Sequence, residues 1–194
     1  EENFLAGKGR AYAASRGEYL NGILMAAYLG YEFIDAAEVV LFDENGVFLP
    51  EKTNAELSAR LAKSPRAVIP GFYGSMPDGT VKTFSRGGSD ITGSIVARAV
   101  HADLYENWTD VSGFLVTDPR IVDNPKTIET ITYRELRELS YMGASVLHEE
   151  AIFPVRKEGI PINIRNTNRP DDPGTMIVES TLKKPRYTIT GIAG

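Results

Sequence analysis

The segment from Ser85 to Arg120 constrains the fold of this chain more than any other. A glycine pair opens a predicted helix that Ser89 or Asp90 would cap, and a predicted strand over 104–108 ends in a second polar loop. Bare N–H groups at the start of a helix and the helix dipole attract anions, and glycines let the backbone approach them closely. A β–α–β unit with polar loops at both ends therefore has the features that a phosphate-binding site needs.

Short apolar strands alternate with amphipathic helices along the rest of the chain. The spacing of apolar residues predicts helices over 11–30, from a cap at Thr53 or Asn54 to Lys63, over 132–142 and over 149–157. Strands are predicted over 33–36, 38–42, 67–70, 161–165 and 175–179, and Pro77-Asp78-Gly79 predicts a β-hairpin turn. This alternation is typical of the α/β class with a largely parallel sheet.

Composition narrows the classes of function. The 194 residues carry 21 Lys and Arg against 26 Asp and Glu, a net charge of −5, so nucleic acid is not expected as the main partner. With no cysteine there is no disulfide framework and no thiolate zinc site, and the two histidines have no neighbours at metal-ligand spacing. No apolar run suits a membrane span and no signal peptide is visible, so a cytoplasmic protein without a protein-bound metal is expected.

The two ends of the sequence favour a piece of a longer protein. The chain begins Glu-Glu-Asn without an initiating Met, and it ends in a strand-like stretch over 188–194. We therefore expect the sheet to be incomplete at the N-terminus, and residues 188–194 to begin a further, truncated region.

Several residues have both a structural and a functional interpretation. Arg86 between glycines is either a solvent-facing turn residue or a fork for a carboxylate or phosphate. Glu18, beside Gly17 in the first helix, is either a solvated carboxylate or a ligand contact. Thr109-Asp110 is either a turn cap or a carboxylate of a phosphoryl-transfer site. P-loop, Rossmann and Gly-x-Ser-x-Gly hydrolase motifs are absent.

Taken together, six motifs closely resemble the aspartokinases of the amino-acid-kinase superfamily. In order they are Gly-Phe-Tyr-Gly (71–74), Ser-Arg-Gly-Gly-Ser-Asp (85–90), Trp-Thr-Asp-Val-x-Gly (108–113), Thr-Asp-Pro-Arg (117–120), Gly-Ala-Ser-Val-Leu-His (143–148) and Pro-Gly-Thr (173–175). Each motif alone has only moderate specificity for the family, but their order and spacing together are specific. The resemblance covers nearly the whole chain from about residue 10.

The resemblance implies a three-layer α/β/α sandwich with a mainly parallel sheet. It implies transfer of the γ-phosphoryl group of Mg-ATP to the side-chain carboxylate of L-aspartate, giving 4-phospho-L-aspartate, the first step towards lysine, threonine and methionine. Residues 1–187 would be the larger, C-terminal part of the kinase domain, and residues 188–194 would start an ACT-like region. Homo-oligomers would form through the domains beyond it.

By position, the resemblance also assigns site residues. Those of the aspartate pocket are Glu18 for the amino group, Arg86 for a carboxylate, and Ser89, Asp90 and Phe72 beside it. Those of the nucleotide end are Thr109, Asp110, Thr117, Asp118 and Arg120, with Asp110 as the catalytic residue that orients a lysine.

Two departures leave alternatives open. The Lys-Phe-Gly-Gly-Thr/Ser segment that supplies this lysine in the family is absent, and Ser145 stands where many members have an ATP-contacting lysine. A related kinase for another substrate and a catalytically incompetent fragment that only binds ligand therefore remain as alternatives.

Overall fold

The computed structural model describes residues 9–64, 66–141, 147, 149–181 and 189–192. The chain divides into two compact units, residues 1–100 and residues 101–194.

The first unit is built around one long helix and two small sheets. Its elements are α1 (Gly9–Leu29), β1 (Glu32–Phe33), α2 (Ala36–Val39), α3 (Pro50–Leu61), β2 (Ala67–Val68), β3 (Tyr73–Ser75), β4 (Val81–Thr83) and α4 (Gly88–Ala99). Strands β1 and β2 pair in parallel, and β3 and β4 form the predicted antiparallel hairpin. The core consists of buried apolar residues from most of these elements: Ile34, Ala36, Val39, Val40, Phe42, Leu57, Tyr73, Ile95 and Ala99.

Helix α1 packs through its small residues. Ser15, Gly22 and Ala26 are its buried positions, and a side chain at Gly22 would come within 3.0 Å of the Phe33 ring. Of the larger residues in the apolar stripe that predicts this helix, Tyr12 and Tyr19 are half-buried, whereas Leu20, Ile23, Leu24 and Tyr28 are exposed. The periodicity therefore predicts the helix correctly without indicating which face is buried.

The local predictions for α2 and for the start of α3 are wrong. Residues 38–42 were expected to form a strand, but Asp35 caps the short helix α2, its side chain accepting a hydrogen bond from Ala37 N, and only isolated bridges follow at Leu41 and Phe42. Helix α3 starts at Pro50 rather than after Thr53, because proline suits the first helical turn. The Thr53 hydroxyl instead accepts a hydrogen bond from Leu41 N at 2.9 Å.

The second unit contains a four-stranded mixed sheet. Its elements are β5 (Tyr105–Thr109), β6 (Thr130–Thr132), α5 (Tyr133–Tyr141), α6 (Glu149–Lys157), β7 (Ile162–Asn166) and β8 (Thr175–Val178). The strand order is β5-β7-β8-β6, with β5–β7 and β6–β8 parallel and β7–β8 antiparallel. Helix α5 begins with the predicted capping box, in which Thr132 and Glu135 hydrogen-bond each other's backbone N–H groups.

The core of the second unit lies between this sheet and its helices. It contains fully buried residues from β6, α5, α6, β7 and β8, among them Ile131, Leu136, Val155, Ile162, Ile164 and Ile177. Parallel strands and helices occur in both units, which confirms the α/β class. No helix in the described part of the chain is long and apolar enough to cross a membrane.

The predicted boundary after residue 187 stays a prediction. The described residues that follow it contact the second unit: Thr190 Oγ1 donates to Glu135 Oε1 at 2.7 Å, and Ile192 N donates to Val116 O at 2.7 Å.

Candidate active site

The start of α4 lies directly against the loop over residues 71–74. A side chain at Gly71 would meet Ser89 Cα at 3.1 Å, and one at Gly88 would meet Phe72 Cβ at 2.8 Å. Phe72 N donates to Thr92 Oγ1 at 3.0 Å, and that hydroxyl donates to Gly88 O at 2.9 Å. The two glycines are therefore needed because larger residues would separate the loop from the helix.

Phe72 has an uncommon backbone conformation. Its φ is 69°, in the left-handed region that residues other than glycine rarely occupy. Strain of this kind persists only where the surroundings enforce it, and it concentrates at functional sites. The hydrogen bond to Thr92 and the contact with Gly88 supply that enforcement.

Helix α4 begins without a side-chain cap. Its N-cap is Gly87, with φ 55°, which has no side chain to cap the helix, so the prediction that Ser89 or Asp90 caps the helix is wrong. Both residues lie inside the first turn, and Ser89 is exposed. The positive end of the helix dipole therefore has no N-cap side chain over it, which suits an anionic ligand.

Arg86 lies immediately before this helix start. Its side chain is exposed, and among the described residues it has neither an ion-pair nor a hydrogen-bond partner. The structure thus brings Arg86, Ser89, Asp90 and Phe72 to one end of α4, as the sequence predicts.

Glu18 lies on the exposed face of α1, and no described atom approaches within 4 Å of the position of a side chain at Gly17. Two residues earlier in the helix, Arg16 stacks on aromatic rings. Its guanidinium carbon is 4.4 Å from the Tyr12 ring centre, 4.3 Å from that of Tyr19 and 5.6 Å from that of Tyr73. These cation–π contacts bring this turn of α1 next to the loop that carries Phe72.

Tyr73 anchors the loop over residues 71–74. It is fully buried, and its hydroxyl donates to Asp35 Oδ1 at 2.7 Å. Burial and the neighbouring Asp35 carboxylate raise the pKa of Tyr73 far above its ordinary value. The phenol therefore stays neutral at any physiological pH. The sequence contains only a weak signal for this anchor, the Phe-Tyr pair between Gly71 and Gly74 after the predicted strand over 67–70.

In the second unit, Thr109 and Asp110 follow the end of β5. Thr109 Oγ1 donates to Asp110 Oδ1 at 3.3 Å, and the Asp110 side chain is exposed. Thr109 O accepts two hydrogen bonds from Thr167, one from its N–H at 2.8 Å and one from its hydroxyl at 2.9 Å. The carboxylate predicted to serve the nucleotide end thus lies on an anchored loop at a strand end.

The loop over 117–125 is held at its base by antiparallel pairing. Val116 N donates to Lys126 O at 2.9 Å, and Ile128 N donates to Phe114 O at 2.7 Å. Within the loop, Arg120 binds the Asp118 carboxylate through Nε and Nη2, at 3.0 Å and 2.6 Å.

The Asp118–Arg120 pair lies at the surface. The Arg120 side chain is 89% exposed, and its hydrogen bonds hold the pKa of Asp118 below the ordinary value. The structure therefore brings these two predicted residues together, with Asp118 orienting Arg120. Thr117, one residue earlier, is half-buried.

The remaining predictions concern Ser145 and a protein-bound metal. Ser145, the departure in the 143–148 motif, lies outside the described residues. Among the residues that are described, no group of three His, Cys, Asp or Glu side chains could hold a metal ion. Sequence reasoning missed the polar contacts of Ser112, Asn166 and Asp172, for which the Asn- and Asp-containing loop over 166–174 is the only signal.

The structure combines the α/β class with an exposed arginine beside a helix start in the first unit and an exposed carboxylate at a strand end in the second. These features suit a protein that handles phosphorylated ligands. The chain belongs to the amino acid kinase family, whose sequence model matches residues 2–166. It is 47% identical to Aspartokinase 3 of Bacillus subtilis in an alignment 186 residues long, which covers 91% of this chain and 40% of that protein.

Solved structures of aspartate kinases are also similar. The aspartate kinase of Clostridium acetobutylicum, described as an allosteric enzyme, has a TM-score of 0.93 at 63% identity, covering 99% of this chain and 44% of that one. Aspartokinase III of Escherichia coli, solved with aspartate and ADP, has a TM-score of 0.79 at 28% identity, covering 90% and 42%. The chain thus spans less than half the length of these relatives.

Proposed function

We propose that the protein containing this chain transfers the γ-phosphoryl group of Mg-ATP to L-aspartate, giving 4-phospho-L-aspartate and ADP. An oxygen of the aspartate side-chain carboxylate forms a bond to the γ-phosphorus. The bond from that phosphorus to the bridging oxygen of the β-phosphate breaks, and ADP leaves with the electron pair. Positioning of the two anionic substrates and stabilisation of their charge supply most of the catalysis in such reactions.

The observation that carries this proposal is Arg86 at the uncapped start of α4. An exposed guanidinium without a described partner, next to the positive end of a helix, suits a carboxylate of a small dicarboxylic amino acid. Ser89, Asp90 and the strained Phe72 line the same end of the helix. Glu18 would receive the α-amino group, since an exposed carboxylate pairs with an ammonium ion.

The nucleotide would bind in the second unit. Asp110 would orient the catalytic lysine, and Thr109 beside it would contact the nucleotide. Thr117 and Arg120 would contact the phosphates, with Asp118 orienting the guanidinium. Mg²⁺ would arrive as part of the Mg-ATP substrate, held mainly by phosphate oxygens, as Mg²⁺ in kinases usually is.

The relatives support this choice of substrates. The Escherichia coli enzyme was solved with aspartate and ADP together, and the identity to aspartokinases reaches 47% and 63% over most of this chain. We propose in addition a cytoplasmic location and a homo-oligomer formed through domains beyond this chain.

The test is an Arg86→Ala variant of the full-length protein, with Arg66→Ala as the matched control. Arg66 is another exposed arginine of the first unit. Loss of charge-assisted hydrogen bonds, each worth about 1.5–3 kcal/mol, should raise the KM for aspartate by about tenfold to a hundredfold in Arg86→Ala. Arg86→Lys should fall between it and the wild type, because lysine keeps the charge but lacks the fork.

A substrate panel separates the alternatives. Aspartate, glutamate, N-acetylglutamate and UMP are offered in parallel with Mg-ATP. Turnover of aspartate alone supports the proposal. Faster turnover of another substrate in the panel would show that the protein is a related kinase with a different substrate. An unchanged aspartate KM in Arg86→Ala would remove Arg86 from the pocket.

A further inference from the structure

Three side chains form a hydrogen-bonded chain next to the loop that carries Asp110. Ser112 Oγ donates to Asp172 Oδ2 at 2.6 Å, and it accepts a hydrogen bond from Asn166 Nδ2 at 2.9 Å. The remaining amide oxygen of Asn166 accepts from Asn168 N at 2.9 Å. Asn166 is only 7% exposed, so water could not replace these hydrogen bonds if they were lost.

This chain of hydrogen bonds connects the ends of two neighbouring strands. Strands β5 and β7 are parallel, and Thr109 lies opposite Asn166 in their register. The loop after β5 and the loop after β7 therefore leave the sheet at the same edge. The Ser112–Asn166–Asp172 contacts tie these two loops together beyond the last paired residues.

Asp110 lies between two such ties. On one side, Thr109 O accepts both hydrogen bonds of Thr167. On the other side, Ser112 is held by Asn166 and Asp172. Only Asp110 and Val111 lie between these anchored residues, so the direction of the Asp110 side chain depends on both.

The backbone after Ser112 leaves no room for adjustment. Gly113 is buried with φ 91°, and a side chain there would overlap the Thr175 hydroxyl and come within 2.7 Å of Thr175 N. Phe114 N, next along the chain, donates to the Thr175 hydroxyl at 2.8 Å. If Ser112 is released, the freedom gained passes to Asp110 and Val111, because Gly113 and Phe114 stay fixed.

We propose that Ser112, Asn166 and Asp172 are positioning residues that hold Asp110 in the orientation required for nucleotide binding and phosphoryl transfer. This inference rests on the proposed function of Asp110. In it, Asp172 acts as a hydrogen-bond acceptor and not as a charge or a metal ligand. Ser112 acts through its hydroxyl, which is a donor and an acceptor at once.

The test compares Asp172→Ala, Asp172→Asn and the control Asp171→Ala in the full-length protein. Asparagine keeps an oxygen that accepts the Ser112 hydrogen bond but removes the charge, and Asp171 is the exposed neighbour in the same loop. We expect Asp172→Ala to raise the KM for Mg-ATP or lower kcat by about tenfold, as for loss of one hydrogen bond to a carboxylate. The KM for aspartate should stay within about twofold, a split that general destabilisation would not produce.

Asp172→Asn should recover most of the activity that Asp172→Ala loses, and Asp171→Ala should match the wild type. Ser112→Ala and Ser112→Thr repeat the comparison without touching a carboxylate, threonine keeping the hydroxyl. Equal impairment in Asp172→Asn and Asp172→Ala would overturn the acceptor role. Unchanged Mg-ATP kinetics in both Asp172→Ala and Ser112→Ala would overturn the proposal.

A second measurement does not depend on catalysis. Hydrogen exchange of the peptide covering 109–113, measured without substrates, should be faster in Asp172→Ala than in the wild type and near wild-type in Asp172→Asn. Equal exchange in all three proteins would refute the positioning network. A wild type that phosphorylates no amino acid but shows this exchange pattern would refute the proposed function and leave the network supported.

Discussion

Replacement of Thr175 by valine should destabilise the second unit far more than replacement by serine. Thr175 is fully buried, and its hydroxyl donates to Ile128 O at 2.6 Å while accepting from Phe114 N at 2.8 Å. Valine has nearly the same shape, so it leaves no cavity but orphans one buried carbonyl and one buried N–H. Each costs about 1–3 kcal/mol, which gives a loss of about 2–6 kcal/mol in the free energy of unfolding.

Serine keeps both hydrogen bonds and removes one methyl group. That change costs about 1 kcal/mol for the lost apolar burial. The contrast between the two variants therefore isolates the hydroxyl from the packing of the side chain.

Urea unfolding followed by tryptophan fluorescence measures this contrast. Trp108 is the single tryptophan of the sequence and lies on β5, in the same unit as Thr175. With an m-value of about 2 kcal/mol/M, Thr175→Val should lower the unfolding midpoint by about 1–3 M and Thr175→Ser by about 0.5 M. Equal midpoints for the two variants would show that the two hydrogen bonds of the Thr175 hydroxyl do not contribute to stability, contrary to this prediction.

Two further predictions concern stability. Gly74→Ala should lower the free energy of unfolding by about 3 kcal/mol, because the new methyl would overlap the Val40 carbonyl that pairs with β3. Gly79→Ala in an open turn should cost only about 1 kcal/mol, and equal melting temperatures for the two variants would contradict this. For Glu135, burial raises the pKa, but hydrogen bonds from Thr132 and Thr190 outweigh it and the net pKa is lowered. A folded-state pKa below the ordinary value of 4.5 contributes stability that is complete above pH 4.5 and is lost as the pH falls through the folded value. The wild type should therefore exceed Glu135→Gln in stability at pH 7 and lose that margin on acidification below pH 4.5. A margin that grows on acidification would contradict the sign.

Much of the first unit could be predicted from local patterns. The Pro77-Asp78-Gly79 turn gave the hairpin β3–β4, and the glycine pair gave the start of α4, because turn and helix-start chemistry act over a few residues. The strand predicted over 38–42 was wrong because Asp35 caps a short helix there, a contact that outweighs the apolar run. Thr53 was misread as a cap because its hydroxyl serves a distant backbone group, Leu41 N.

The candidate site also contains residues that could be predicted from the sequence and contacts that could not. Arg86, Ser89 and Phe72 could be placed together from motifs in sequence order, and contacts at Gly71 and Gly88 agree with that grouping. The Ser112 network could not be predicted, since its members are 54 and 60 residues apart and only the sheet register brings them together.

Formation of an acyl phosphate on aspartate tests the proposed phosphoryl transfer most directly. The full-length protein is incubated with Mg-ATP, L-aspartate and hydroxylamine, and the aspartyl hydroxamate is measured together with ADP. We expect equal amounts of hydroxamate and ADP, dependent on aspartate and strongly reduced in Arg86→Ala but not in Arg66→Ala. ADP release without hydroxamate, or no reaction with aspartate at all, would contradict it.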